Sequence, residues 1–192
     1  NGTISAKLKL VKVDSETNKV IELSGVKFKI KDKKSNKYIC QTTNEVICEY
    51  ETNDKGIMIT PLPLFGGDYI IEEIKAPTGY LLSNQDIEFS IKENTEIVED
   101  EIYGSLIEIH FENKEVKGAV EINKLGEKFV IENGSYTYEE IKPSNVKFGL
   151  YDEFGNLIEE VYTDEFGYAR IDNLKLGKYV LKELASSNNN LL

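Results

Sequence analysis

Tyr69-Ile-Ile-Glu-Glu-Ile-Lys-Ala-Pro-Thr-Gly-Tyr80 decides how this chain folds. The first half alternates as a β-strand does, which sends Tyr69, Ile71 and Glu73 to one face. A tyrosine and an isoleucine on that face imply a core. Glu73 is then a carboxylic acid aimed into an apolar interior, which is costly unless it is neutral or partnered. The second half is a turn, with Pro77 and Gly79 as its breakers.

Working outward, short alternating runs recur, separated by Gly, Asn, Asp and Pro, and helical periodicity is almost absent. The chain reads as all-β. Strands are expected at Lys37 to Gln41, Val46 to Tyr50, Tyr69 to Ile74, Asp86 to Lys92, Glu96 to Ile102 and Leu106 to Asn113. Further runs carry Leu8, Leu10 and Lys12 on one face, and Val26, Phe28 and Ile30 on another.

The pattern then repeats. Ser24-Gly-Val-Lys-Phe-Lys-Ile-Lys-Asp32 matches Ser144-Asn-Val-Lys-Phe-Gly-Leu-Tyr-Asp152, and Gly67-Asp-Tyr-Ile-Ile-Glu-Glu73 matches Gly177-Lys-Tyr-Val-Leu-Lys-Glu183. Thr52 to Gly56 matches Thr163 to Gly167, and the offset stays between 110 and 120. This is a tandem domain duplication. It predicts a complete domain over residues 1–115 and a second over 116–192. The second has no counterpart of residues 83–113, so it is expected to be C-terminally incomplete, truncated before its last strands. It also carries an extra segment, Phe129 to Lys142.

The formal net charge of −11 over 192 residues argues against nucleic acid or an anionic membrane surface as partner. With 40% hydrophobic and 30% charged residues the chain is globular. No apolar run reaches transmembrane length. Cys40 and Cys48 would face each other across a hairpin turning at Asn44. A cross-strand disulfide and a pair of reduced thiols are both open there, and an extracellular setting favours the disulfide. Two cysteines and the single His110 do not supply a metal site. His110 lies opposite Ile109 and Phe111, so it faces solvent. No Ser/His/Asp set or Gly-rich phosphate loop is present, and neither an enzyme acting in trans nor a bound cofactor is expected.

Three polar residues sit on predicted core faces. Lys12 follows Leu8 and Leu10, Glu73 follows Tyr69 and Ile71, and Asn113 follows Ile107, Ile109 and Phe111. The second copy repeats two of them as Lys124 and Glu183. Burial lowers a lysine pKa and raises that of a carboxyl. A neutral amine is a nucleophile, and a neutral acid can donate to the Asn113 side-chain carbonyl. Together they could form a Lys–Asn amide with loss of ammonia. The residues alone leave open a plain buried Lys–Glu ion pair with Asn113 beside it.

Lys12 in Leu-Val-Lys-Val-Asp with Thr17, the Ser24-Gly-Val-Lys-Phe run, Glu73 through Ala76-Pro-Thr-Gly-Tyr80, and Phe111-Glu-Asn113-Lys together resemble the Cna B-type (SpaA-like) repeats of Gram-positive surface adhesins and pilins. The resemblance implies tandem β-sandwiches of prealbumin-like or inverse immunoglobulin type. It implies a self-formed isopeptide bond between Lys12 and Asn113, with Glu73 as proton shuttle. Lys124 and Glu183 match the same pattern. Asn188 to Asn190 follow Glu183 too closely to serve as the last-strand partner, so no bond is expected in the second copy.

The implied function is a structural stalk module of a cell-wall-anchored, extracellular adhesin or pilus. Its partners would be neighbouring domains of the same surface protein, with no membrane contact by this segment. The alternative is a ligand-binding adhesin domain recognising a host extracellular matrix protein, with Tyr136 and Tyr138 of the extra segment as the place to look.

Overall fold

The computed structural model describes residues 4–186, which form strands, turns and loops without a helix. Asn188, Asn189, Asn190, Leu191 and Leu192 lie outside the described residues, as do residues 1–3. The fold is all-β, and its two compact units part between Val116 and Lys117.

In the first unit the strands are β1 (Ser5–Asp14), β2 (Lys27–Asp32), β3 (Gln41–Thr42), β4 (Val46–Ile47), β5 (Tyr50–Glu51) and β6 (Ile57–Ile59). They continue as β7 (Leu64–Phe65), β8 (Gly67–Lys75), β9 (Ile87–Ile91), β10 (Val98–Asp100) and β11 (Gly104–Asn113). One sheet runs β10-β11-β1-β6, with β7 beside the start of β1, and the other runs β5-β2-β8-β9. Their inner faces enclose a core that includes Leu8, Leu10, Phe28, Ile30, Ile71 and Phe111. This is the sandwich that the family resemblance implies, and the alternation in β2 and β8 sets its inward faces.

Three strands carry the site: β1, β8 and β11. β1 and β11 pair in parallel, with Lys12 opposite Phe111 and Asp14 opposite Asn113. β2 and β8 pair antiparallel, with Phe28 opposite Glu73. β1 alternates only in its first half, and Val11 to Asp14 are buried without a break. The chain from Lys19 to Ile21 covers the other face there: Ile21 N–H donates to the Lys12 carbonyl at 2.9 Å, and Val13 bridges Val20.

The cysteine hairpin is shorter than its sequence suggests. Lys37 to Gln41 and Val46 to Tyr50 contract to the two-residue strands β3, β4 and β5. The sulfur atoms of Cys40 and Cys48 are bonded, with their Cα atoms 4.2 Å apart. Glu96 to Ile102 likewise contracts to β10.

The second unit contains β12 (Lys117–Asn123), β13 (Gly126–Glu132), β14 (Ser135–Ile141), β15 (Lys147–Asp152), β16 (Leu157–Tyr162), β17 (Tyr168–Lys175) and β18 (Tyr179–Ala185). β12 pairs with β17, and β15 lies between β16 and β18. Two small clusters form its interior, one around Ile122 and Phe148 and one around Leu150 and Ile171. The extra segment folds as a separate hairpin of β13 and β14.

Candidate functional site: a buried lysine, glutamate and asparagine

Lys12, Glu73 and Asn113 are buried together, with 0%, 7% and 2% of their surfaces exposed. Each ends an apolar stripe, on β1, β8 and β11. Lys12 Nζ donates to Glu73 Oε1 at 3.0 Å, and Asn113 Nδ2 donates to Glu73 Oε2 at 2.7 Å. The glutamate therefore bridges the amine and the amide. Rings of Phe111 and Phe28 lie 4.3 and 5.6 Å from Nζ.

Burial draws the Lys12 amine down to about 8, and the charge of Glu73 opposes that shift. An amine at that value is neutral far more often near physiological pH than an ordinary lysine, and only the neutral form is a nucleophile.

Asn113 differs from the expected arrangement. Its amide nitrogen, rather than its carbonyl oxygen, faces the carboxylate. The cause is a second acceptor: Nδ2 also donates to the Leu81 carbonyl at 2.8 Å. Reversing the amide would set Oδ1 against two acceptors at once. Oδ1 itself is buried and accepts no hydrogen bond among the described residues.

The turn that follows β8 supplies that carbonyl. Gly79 adopts φ +86°, which an L side chain rarely tolerates, and Tyr80 N–H closes onto the Pro77 carbonyl. Leu81 N–H then pairs with the Lys114 carbonyl at 2.8 Å, laying residues 81–83 across Asn113. Ser83 N–H donates to Glu73 Oε2 at 3.0 Å. Tyr80 hydroxyl reaches Asp14 Oδ2 at 3.2 Å and ties the turn to β1. Asp14 also accepts from the N–H groups of Glu16 and Thr17, and the Thr17 contact leads in holding its carboxyl below the usual range. These roles of Leu81, Ser83 and Asp14 escape a parity reading. For Asp14 the Asp-x-x-Thr spacing is a turn signal that could have found it.

In the second unit Lys124 Nζ meets Glu183 Oε2 at 2.9 Å, so the structure joins this pair too. It does not bury them: their side chains remain 32% and 35% exposed. This corrects the inward-facing expectation. β12 and β18 each pair on one edge only among the described residues, so nothing further covers the two side chains. His110 is exposed, 3.0 Å from Glu108. Among the described residues no group of three or more His, Cys, Asp or Glu could hold a metal, and no helix is long and apolar enough to cross a membrane.

The sequence pattern of the SpaA prealbumin-like fold domain matches residues 6–106 and 142–192. The chain belongs to the SpaA prealbumin-like fold family. Among solved structures, this SpaA-family chain is similar to the Bacillus anthracis TIE protein, at 28% identity and a TM-score of 0.65 over 95% of the chain. It is also similar to a streptococcal ancillary pilin, at 19% identity and a TM-score of 0.42 over 98% of the chain. For BcpA, the major pilin subunit of Bacillus cereus, the values are 13% and 0.47 over 94% of the chain and 88% of that pilin. The chain spans 29% of the TIE protein chain and 56% of the ancillary pilin. No curated protein matches it.

Proposed function

We propose that this chain is a structural stalk segment of a Gram-positive, cell-wall-anchored surface adhesin or pilus, and that its first domain, residues 1–115, locks itself with a Lys12–Asn113 isopeptide bond. Neighbouring domains of the same surface protein are its partners. The observation that carries this reading is the burial of Lys12, Glu73 and Asn113 in contact, with the carboxylate between amine and amide.

The chemistry follows from the contacts. The Lys12 ammonium gives one proton to solvent. The neutral amine attacks Cγ of Asn113. Glu73 takes a second proton from Nζ on its Oε1 side and passes it to Nδ2, the Cγ–Nδ2 bond breaks, and ammonia leaves. Nζ gives up two protons in all: one departs with ammonia, the other goes to solvent, and Glu73 is again a carboxylate. The reaction runs once, within one chain, so the fold supplies the proximity. A cleft of about 270 Å³, lined by Ser83, Gln85 and Phe111 among others, opens beside the 81–83 strap.

The bond would join adjacent ends of two parallel strands. Tension entering through β1 and leaving beyond Asn113 would bypass every strand between. Closing that loop would also restrict the unfolded chain, worth about 4–5 kcal/mol by analogy with a long-loop disulfide. Single-molecule pulling from both ends of the chain tests the reading. Residues between 12 and 113 should contribute no extension, and in Lys12→Ala they should unravel. Full extension of the unaltered first domain would refute the stalk-lock function.

A further inference from the structure

The hairpin of β13 and β14 belongs to neither buried cluster of the second unit. It lies in the stretch 107–141 that the family pattern leaves unmatched, and the first unit has no counterpart of it. Its turn, Asn133-Gly134, has φ of 52° and 79°, as a tight two-residue hairpin requires. It thus adds no residue to the two buried clusters of that unit.

One face of it is apolar and bare. Phe129 stacks on Tyr136 and tilts against Tyr138, both with ring centroids 5.4 Å apart. Cross-strand pairing sets Ile131 opposite Tyr136 and Phe129 opposite Tyr138. These four side chains are 48% to 69% exposed. Residues of the same parity at the far end are Glu127 and Glu140, directly opposite each other, with no cation among the described residues paired to either. Like charges facing across strands destabilise a hairpin. Beside an aromatic face, the arrangement suits a cationic side chain whose alkyl stem lies on the rings.

We propose that this face docks an extended, basic segment of a partner protein: apolar residues on Phe129, Ile131, Tyr136 and Tyr138, and a lysine or arginine between Glu127 and Glu140. Each hairpin strand also keeps one unpaired edge among the described residues, to which an extended peptide can add as a further strand. The charge selects this occupant. A second copy would bring the same two carboxylates and a net charge of −11 against its like. A neutral glycan would stack on the rings but leave the acid pair uncompensated.

The test uses the whole chain and a short capped peptide, Thr-Val-Thr-Val-Thr-Lys-Thr, whose valines and lysine share one face when extended, followed by backbone amide shifts. Saturable binding confined to residues 126–141 is expected. It should weaken at least about tenfold in Tyr136→Ser/Tyr138→Ser and in Glu127→Gln/Glu140→Gln, and vanish for the same peptide with glutamate in place of lysine. These variants sit outside the buried clusters, and an unchanged melting temperature checks their folding. No binding would overturn the proposal, as would shifts scattered over the acidic surface that the variants leave unchanged. Saturation of the rings by chitotriose in place of the peptide would overturn it in favour of a glycan. Self-association abolished by the tyrosine variant would overturn it in favour of a second copy.

Discussion

Asn113 turns its amide nitrogen toward Glu73, at 2.7 Å, and leaves its carbonyl oxygen without a donor among the described residues. The group that would leave in the proposed reaction is therefore the one that already touches Glu73. A general acid acts best within hydrogen-bond reach of the atom it protonates. In the proposed reaction Glu73 would serve the leaving nitrogen, and no donor among the described residues polarises the carbonyl.

The strap over the site gives the first prediction. Ser83 N–H holds Glu73 Oε2 at 3.0 Å, and proline at this position cannot donate. A hydrogen bond to a charged group is worth about 1.5–3 kcal/mol, so losing it should slow cross-linking about tenfold or more in Ser83→Pro. The time course of ammonia loss after refolding measures this. Ser83→Ala keeps the N–H and should match the unaltered chain.

A second prediction concerns pH. Only the neutral amine attacks, and burial places the Lys12 amine at about 8. The rate of bond formation should rise with pH below that value and flatten above it. Before the bond forms, burying the ammonium opposes folding most strongly below pH 8. That opposition fades as pH rises from 8 toward the ordinary lysine value of 10.5. Once the amide exists, Lys12 no longer titrates, and this part of the pH dependence should disappear. A rate independent of pH between 6 and 10 would show that deprotonation of Lys12 does not limit the reaction.

Asp14 supplies a third. Its folded carboxyl is held below its ordinary 3.8, chiefly by the Thr17 N–H. A depressed carboxylate stabilises the fold above the unfolded pKa, and that contribution is lost as pH falls through the folded pKa. Asp14→Asn should therefore be less stable at neutral pH and lose less on acidification below 3.8. Thermal melts of the two chains across pH 2 to 7 check both signs.

How far the sequence foretold this site depends on which atoms do the work. Side-chain parity found Lys12, Glu73 and Asn113, because a strand repeats every two residues and a buried charge among Leu8, Ile71 and Phe111 stands out. It could not find the strap. Leu81 and Ser83 act through a backbone carbonyl and N–H, which every non-proline residue carries, so no residue type marks them. Nor could it foresee that the 19–21 segment buries both faces of β1 beyond Leu10. Parity also overreached at Lys124 and Glu183. The duplication marked them as a pair, but burial depends on strands that lie beside them in space, and a third of each side chain stays exposed.

The cysteine pair gives a fourth prediction. The bond between Cys40 and Cys48 closes a short loop at the hairpin β3–β4, for which the chain-entropy account allows about 2–3 kcal/mol. Reductant should add two hydrogens to the mass and lower stability by no more than that. It should leave the rate of ammonia loss unchanged, since neither cysteine touches Lys12, Glu73 or Asn113.

The central claim is a covalent bond, and intact mass under reducing conditions tests it most directly. The unaltered chain should weigh less than its sequence by one ammonia, while Lys12→Ala, Asn113→Ala and Glu73→Gln should each show their full sequence mass and melt at lower temperature. An unaltered chain at full sequence mass, folded and held above pH 8 for long enough to react, would contradict the account.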